Sequence, residues 1–346
     1  MHIVNIMFSC VPGGIEQAFV DYCEGLKKRG HRVTAITHPD AVINPELHLI
    51  GITPITMRNF SEWDPVAVLR LERRLQKLAP DAVIAHANRA YGLTRWVRRE
   101  WPLIGIAQNY NGRTRRLRNA DGAFATTHDL MHFLTRLKVP EERIFHIPNM
   151  VRVSELPHRG APNTPPMIGT MGRFVKKKGF DIYIEALKIL KERGYNFKAI
   201  LGGAGAEEAR LVKLAKAAGL KDVLALPGWI EDKKAFYTRL DMFCLPSLDE
   251  PFGIVLLEAF IYGTPVIATD TEGPKDIVTP NFDALIVGKG SATELANAIA
   301  RLLDDPQFAA SLATNAFVKA KTTYSIESVA ERIEKALGEI IKRWNS

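Results

Sequence analysis

The sequence predicts an α/β protein of two domains, each built on a parallel sheet. Three observations carry that expectation. At 346 residues the chain is longer than one core usually organises. Short apolar strand patterns alternate with helical ones from end to end, the arrangement of layered α/β folds. That alternation loosens once, after Pro148-Asn149-Met150, where Pro157, Gly160, Pro162, Pro165 and Pro166 crowd together. Such a stretch marks a domain boundary.

In the first half, strands are expected at 2–8, 32–37, 81–86, 103–108, 122–126 and 144–147, with helices at 15–29, 64–78, 90–99 and 128–137. The second half repeats the alternation: strand 167–171, helix 181–193, strand 197–201, helix 207–218 and strand 223–226. Asp241 to Ser247 reads as a buried strand ended by Pro246, and the apolar run after Gly253 as a buried helix. Strands at 265–269 and 284–287 follow, then closing helices at 292–303, 306–321 and 326–342. The last helix has no strand after it and is available to pack against the first half. The domains therefore read as 1–150 and 151–322, with a C-terminal helical segment at 323–346.

Composition removes several function classes. With 47% hydrophobic and 24% charged residues the chain is an ordinary soluble globular protein. No apolar run approaches the roughly 18 residues of a membrane helix. Residues 2–8 are too short, and too poor in basic flank, for a signal peptide. Cys10, Cys23 and Cys244 are odd in number and lack metal-like spacing, which fits a reduced cytosol. There is no HExxH and no Cys/His cluster, so no resident metal is expected. The net charge of +8 is uneven. Between Ile84 and Arg118 stand Arg89, Arg95, Arg98, Arg99, Arg113, Arg115, Arg116 and Arg118, against the single acid Glu100, with Tyr91, Trp96, Trp101 and Tyr110 interleaved. Such a surface suits an anionic membrane or an acidic partner. Leu93, Trp96 and Val97 are equally the buried side of a solvated Arg-rich helix. No nucleic-acid-binding signature accompanies it.

The most informative segment is Glu250-Pro251-Phe252-Gly253-Ile254-Val255-Leu256-Leu257-Glu258. Strand, loop and helix in that order place Glu250 in the loop and Glu258 about one turn into the helix. Both then face the carboxyl end of a parallel sheet, where open α/β folds bind ligands. The N–H groups of Gly253, Ile254 and Val255 form a helix N-terminus suited to an anion. An acid inside a run as apolar as Ile254 to Ile261 needs a partner. Other motifs occupy equivalent positions. Pro12-Gly13-Gly14 opens the first helix, where a close backbone approach and the helix dipole favour a phosphate. Gly172-Arg173-Phe174-Val175-Lys176-Lys177-Lys178-Gly179 follows the first strand of the second domain, and its cations can neutralise a diphosphate. Gly202-Gly203-Ala204-Gly205 and Gly228-Trp229-Ile230 are candidate walls for a nucleotide base. His86 ends one first-domain strand, and Gln108, Asn109 and Asn111 cluster at the end of the next. These groups suit a hydroxyl-rich acceptor.

Taken together, Leu245-Pro246-Ser247, the two glutamates around Pro-Phe-Gly, and Gly263-Thr264-Pro265-Val266-Ile267-Ala268 resemble the signature of glycosyltransferase family 4. Gly13-Gly14, Gly172-Arg173, Lys178-Gly179, Gly203 to Gly205, Gly228-Trp229 and Tyr324-Ser325 extend the resemblance over nearly the whole chain. It implies a GT-B fold, two Rossmann-like domains facing across a cleft, and retaining transfer from a nucleotide sugar without a metal cofactor. It further implies that Glu258 binds ribose hydroxyls and Glu250 touches the donor sugar. Arg173 and Lys178 would clamp the diphosphate, with Glu250 forming the catalytic set. Gly253, Ile254 and Val255 would hold sugar and phosphate by their amides, and Gly14 would approach from the acceptor domain. Gly203, Gly205 and Ile230 would complete the donor site, and His86, Gln108 and Asn109 the acceptor site.

The chain departs from the family pattern at Gln108, where many relatives carry histidine, at Asn149-Met150 in place of Asn-Gly, and at Gly273-Pro274-Lys275-Asp276. The expected function is hexose transfer from a UDP- or GDP-sugar to a lipid-linked or cell-envelope polysaccharide acceptor. The expected location is the cytoplasm, peripheral on the inner membrane face through segment 89–118. Alternatives are another GT-B chemistry, such as nucleotide-sugar epimerisation, or a non-catalytic nucleotide-sugar-binding subunit.

Overall fold

A computed structural model describes residues 1–11, 13–155 and 162–346. Pro12 of the Gly-Gly turn, and Pro157 and Gly160 of the expected linker, lie outside the described residues. The chain divides into two units: Met1–Arg152 together with Tyr324–Ser346, and Val153–Thr323.

Among the described residues the first unit carries a seven-stranded parallel sheet in the order β3-β2-β1-β4-β5-β6-β7. Its strands are β1 (His2–Met7), β2 (Arg32–Thr37), β3 (Ile55–Thr56), β4 (Ala82–Ala85), β5 (Leu103–Ala107), β6 (Gly122–Ala125) and β7 (Ile144–His146). Central β1 pairs with β2 from His2↔Arg32 to Met7↔Thr37, and with β4 from Ile3↔Ala82 to Ile6↔Ala85. The chain runs outward from β1 on one side and resumes at β4 on the other, so β1 and β4 flank the switch point. Helix Gly14–Lys28 is the next element after β1 among the described residues. Helix Pro65–Leu78 starts where Pro65 and the Asp64 cap prescribe, with Asp64 Oδ1 accepting from Ala67 N at 3.0 Å. Helix Ile326–Asn345 is capped by Ser325 and buries Ile326, Val329, Ile333, Leu337 and Ile340 against Ile3, Tyr22, Ala82 and Phe124. The approach is close: a Cβ on Gly25 would lie 2.9 Å from Ala330 Cβ, and one on Gly122 2.4 Å from Ile340 Cδ1.

The second unit holds a six-stranded parallel sheet, β10-β9-β8-β11-β12-β13, again counted among the described residues. Its strands are β8 (Met167–Met171), β9 (Lys198–Gly202), β10 (Leu224–Ala225), β11 (Met242–Leu245), β12 (Val266–Thr269) and β13 (Leu285–Val287). Here the switch point falls between β8 and β11, the two strands that precede the lysine-rich turn and the glutamate motif. Helix Phe180–Glu192 and helix Ala292–Asp304 supply the apolar cover, with Tyr183, Leu187, Leu190, Leu295 and Ile299 in one core. Fully buried Asp283 is neutralised by Lys319 and accepts from Thr279 N at 2.8 Å.

Several elements escape the sequence patterns. Helix Asn44–Leu49, strand β3, helix Lys233–Arg239 and helix Glu272–Ile277 are two to seven residues long, below the length at which periodicity is legible. The helix expected at 90–99 runs instead from Ala87 to Thr94, and residues 112–119 form a 3₁₀ segment, Gly112–Asn119.

Candidate active site

The second unit assembles its candidate residues at the carboxyl ends of β8, β9 and β11. Beyond β8 the chain turns through Lys176–Lys178, and this turn is fastened to the loop after β11. Lys177 O accepts from Leu248 N at 2.8 Å, and a Cβ on Gly179 would lie 2.0 Å from Pro246 O. The apposition puts Lys178 Nζ 2.5 Å from Glu250 Oε2, a charge-assisted bond that also receives Ser247 Oγ at 3.2 Å. Glu250 is 8% exposed: Lys178 and Ser247 hold its carboxylate, and its backbone oxygen accepts from Gly273 N at 2.9 Å. Arg173 stands exposed at the mouth of the same turn.

Gly253 caps helix Ile254–Ile261 with φ 97°, a left-handed conformation that a side chain resists. The helix therefore begins abruptly, leaving its first N–H groups at Gly253, Ile254 and Val255 beside Glu250. Glu258, also 8% exposed, has both oxygens engaged: Lys233 Nζ lies 2.6 Å from Oε1, and the Tyr237 hydroxyl 3.2 Å from Oε2. The sequence required a partner for this acid but did not name one. Lys233 is 25 positions away, on a helix too short to register. Burial, and then the negative charge of Glu258, push the Tyr237 phenol well above its ordinary pKa, keeping it a donor. Across β9, Gly202, Gly203 and Gly205 bring their backbone against Gly172, Phe174 and Ile230. Phe174 N donates to Ala204 O at 2.8 Å, and Gly203 N to Gly228 O at 2.7 Å. Ile230 packs over Gly202 so closely that a Cβ there would meet Ile230 Cγ1 at 2.4 Å.

The first unit places its own candidates around a cavity of about 60 Å³, lined among others by Ile15, Ala87, Asn88, Gln108, Asn109 and Asn111. That is room for one or two hydroxyl-sized groups. Asn111 Oδ1 caps Gly112–Asn119 by accepting from Arg113 N at 3.0 Å, while its Nδ2 donates to Asn109 Oδ1 at 2.5 Å. Gln108 Nε2 reaches Asn149 Oδ1 at 3.4 Å. Gly14 is exposed at the start of its helix, next to Ile15. Ala87 lines the cavity at φ 61°, strained for a residue with a side chain.

His86 requires a correction. Expected among the acceptor ligands, it is fully buried between Phe19 and Tyr22, with ring centroids 4.9 and 5.0 Å away. Its Nε2 lies 3.1 Å from Asn5 Oδ1, and burial lowers its pKa to about 3. A neutral ring donating to Asn5 supports the chain just before Ala87 and offers no atom to an acceptor. The unfolded chain takes a proton near pH 6.5, whereas the folded one waits until about 3. Stability should therefore fall as pH drops through that window. His86→Gln, which keeps a donor for Asn5, should flatten this slope by one proton. Urea unfolding across the window checks it, and an unchanged slope would show that His86 titrates normally.

Comparison with known proteins decides the family. The model for glycosyl transferases group 1 matches residues 154–319, and that for Glycosyltransferase Family 4 matches residues 12–155. The chain is a family 4 glycosyltransferase. Over 325 residues it is 29% identical to the lipopolysaccharide core biosynthesis glycosyltransferase LpsE of Rhizobium meliloti (strain 1021), covering 92% of this chain and 94% of that one. The LpsD enzyme of the same organism is also 29% identical, over 339 residues and 96% of each chain. The fold is GT-B. A glycosyltransferase from Rickettsia africae ESF-5 superposes with a TM-score of 0.85 at 20% identity, over 99% of this chain and 98% of that one. Anabaena HepE, crystallised with UDP-glucose, gives 0.83 at 20% identity over 98% and 100%. The glycosyltransferase therefore belongs to a retaining, nucleotide-sugar-dependent family. Among its described residues no helix is long and apolar enough to cross a membrane.

Proposed function

We propose that this glycosyltransferase moves a hexose from a UDP- or GDP-sugar to a lipid-linked saccharide of the cell envelope, with retention and without a metal. The observation that carries the donor half is the Lys178–Glu250 pair at the β8/β11 switch point, 2.5 Å apart and beside a helix N-terminus. Arg173 and Lys178 neutralise the diphosphate, whose charge grows as the bond between the sugar carbon and phosphate oxygen breaks. Glu250 and the amides of Gly253, Ile254 and Val255 orient sugar and phosphate. Glu258 takes the ribose hydroxyls by exchanging Lys233 for them, and Gly203, Gly205 and Ile230 line the base. The acceptor oxygen attacks on the face the diphosphate leaves, and its proton passes to a departing phosphate oxygen. Gly14 opens a helix N-terminus suited to an anion, and Gln108 and Asn109 hold acceptor hydroxyls.

Similarity over nearly the whole length to two lipopolysaccharide core enzymes supports the acceptor class. UDP as the base partner is supported by the UDP-glucose bound in the structurally similar HepE. A thermal-shift screen of UDP-, GDP-, ADP- and dTDP-sugars tests the donor. A true donor at about 100 times its Kd stabilises the fold by roughly 2.7 kcal/mol. Turnover of the stabilising sugar in the absence of any acceptor would instead assign an epimerase.

A further inference from the structure

Segment 89–118 was the expected membrane contact, but several of its arginines are engaged within the unit. Arg99 pairs with Asp121, and Arg116 grips Glu62 with two bonds of 2.7 and 3.1 Å. The Arg95 guanidinium lies over both the Trp63 and the Trp96 ring, 5.2 and 4.6 Å from their centroids. The exposed apolar groups lie beside them. Phe60 is 92% exposed, Trp63 57%, Trp96 55%, Leu69 55% and Val66 53%. Single exposed apolar residues are unremarkable, but these are not scattered. Phe60, Trp63, Val66 and Leu69 follow one another at intervals of three through the loop and first turns of helix Pro65–Leu78, and the Trp63 and Trp96 rings are 5.9 Å apart.

Around this apolar strip the charge is one-sided. Arg70, Arg73, Arg74 and Lys77 on the same helix, with neighbouring Arg98, are exposed. Among the described residues none of them forms an ion pair. Of the acids near the strip, Glu62 pairs with Arg116, Asp64 caps the helix, and Glu72 accepts from Arg98 N at 3.3 Å. The 3₁₀ segment Gly112–Asn119 joins strip and cavity. Its Arg113, Thr114 and Leu117 line the cavity, while its Arg116 holds Glu62 and lies 5.7 Å over Trp63.

We infer that Phe60, Trp63, Val66, Leu69 and Trp96, flanked by Arg70, Arg73, Arg74 and Lys77, form a docking face for an anionic lipid bilayer. Aromatic and aliphatic tips enter the headgroup boundary while guanidinium groups stay with the phosphates, the division of labour of interfacial protein surfaces. The inference rests on the lipid-linked acceptor proposed above and adds how the enzyme meets it: the docked face puts the acceptor cavity one turn of chain from the lipid surface.

The test is flotation of the full chain with vesicles of phosphatidylglycerol and phosphatidylcholine, against phosphatidylcholine alone, at low and high salt. The wild type should float with the anionic vesicles only. F60S/L69Q, which alters exposed positions alone, should lower partitioning about tenfold or more. R70S/R73S should lower it by roughly thirtyfold and shrink its salt dependence. Neither variant should change transfer to a delipidated, water-soluble acceptor. Wild-type protein that ignores anionic vesicles, or variants that bind them unchanged, would overturn the docking face. So would a dimer that F60S/L69Q dissociates, since a second copy would then cover it. A chain that floats normally yet never glycosylates a lipid-linked acceptor would fail the acceptor proposal alone.

Discussion

Glu250→Ala should lower sugar transfer by a factor on the order of 10² to 10³, the effect of removing one preorganised electrostatic contact at a transition state. Two losses combine. In the proposed reaction the donor sugar loses its carboxylate contact, and Lys178 loses its 2.5 Å partner. Part of the effect is structural, because Lys178 is only partly exposed and would be left near an apolar hole. Glu250→Ala combined with Lys178→Met removes that uncompensated charge and should restore the melting temperature without restoring transfer. Glu250→Gln should remain folded and retain an acceptor for Ser247, but still lose most activity. Steady-state transfer alongside thermal unfolding separates these outcomes. A Glu250→Ala protein that melts normally and transfers at the wild-type rate would remove Glu250 from the catalytic set.

Much of this site was legible from spacing, because parallel α/β folds put their loops in predictable places. A glycine-bearing turn after a strand pattern must lie at the carboxyl edge of the sheet. Gly172-Arg173, Gly203 and Glu250 could therefore be assigned to one edge without coordinates. Their apposition also needs the strand order, in which β11 returns beside β8. What spacing could not supply were partners brought together by short elements. Lys233 and Tyr237 sit on a seven-residue helix, and Ser247 lies in a loop, so nothing periodic announced them. His86 shows the opposite failure. Its strand-end position suggested a ligand, but a strand end also abuts the next helix, and Phe19 and Tyr22 close over the ring. The arginine-rich segment was legible only in part. Charge density was visible, whereas Glu62 and Asp121, which consume part of it, lie outside the dense region or at its edge.

Gly203→Ala should be the most destabilising single methyl in the second unit. Gly203 has φ 141°, and its added Cβ would lie 1.9 Å from Gly172 O and 2.7 Å from Phe174 Cε1. The first of these neighbours is backbone, fixed because Gly172 N donates to Gly202 O at 3.0 Å and Gly203 N to Gly228 O at 2.7 Å. Relief requires parting the turns after β8 and β9, which breaks these bonds and shifts Arg173. Backbone strain and lost hydrogen bonds together amount to about 3 kcal/mol. For a unit of this size that corresponds to a fall of roughly 6–12 °C in its melting temperature. Gly194→Ala is the internal control. Gly194 also has positive φ, at 86°, but nothing lies within 4 Å of its added Cβ. It should lose only the left-handed penalty of about 1–2 kcal/mol. If the two variants melt alike, backbone conformation alone explains Gly203. If Gly203→Ala melts well below Gly194→Ala and no longer gains stability from the donor, the close approach of the two turns both holds the unit together and shapes the sugar-nucleotide site.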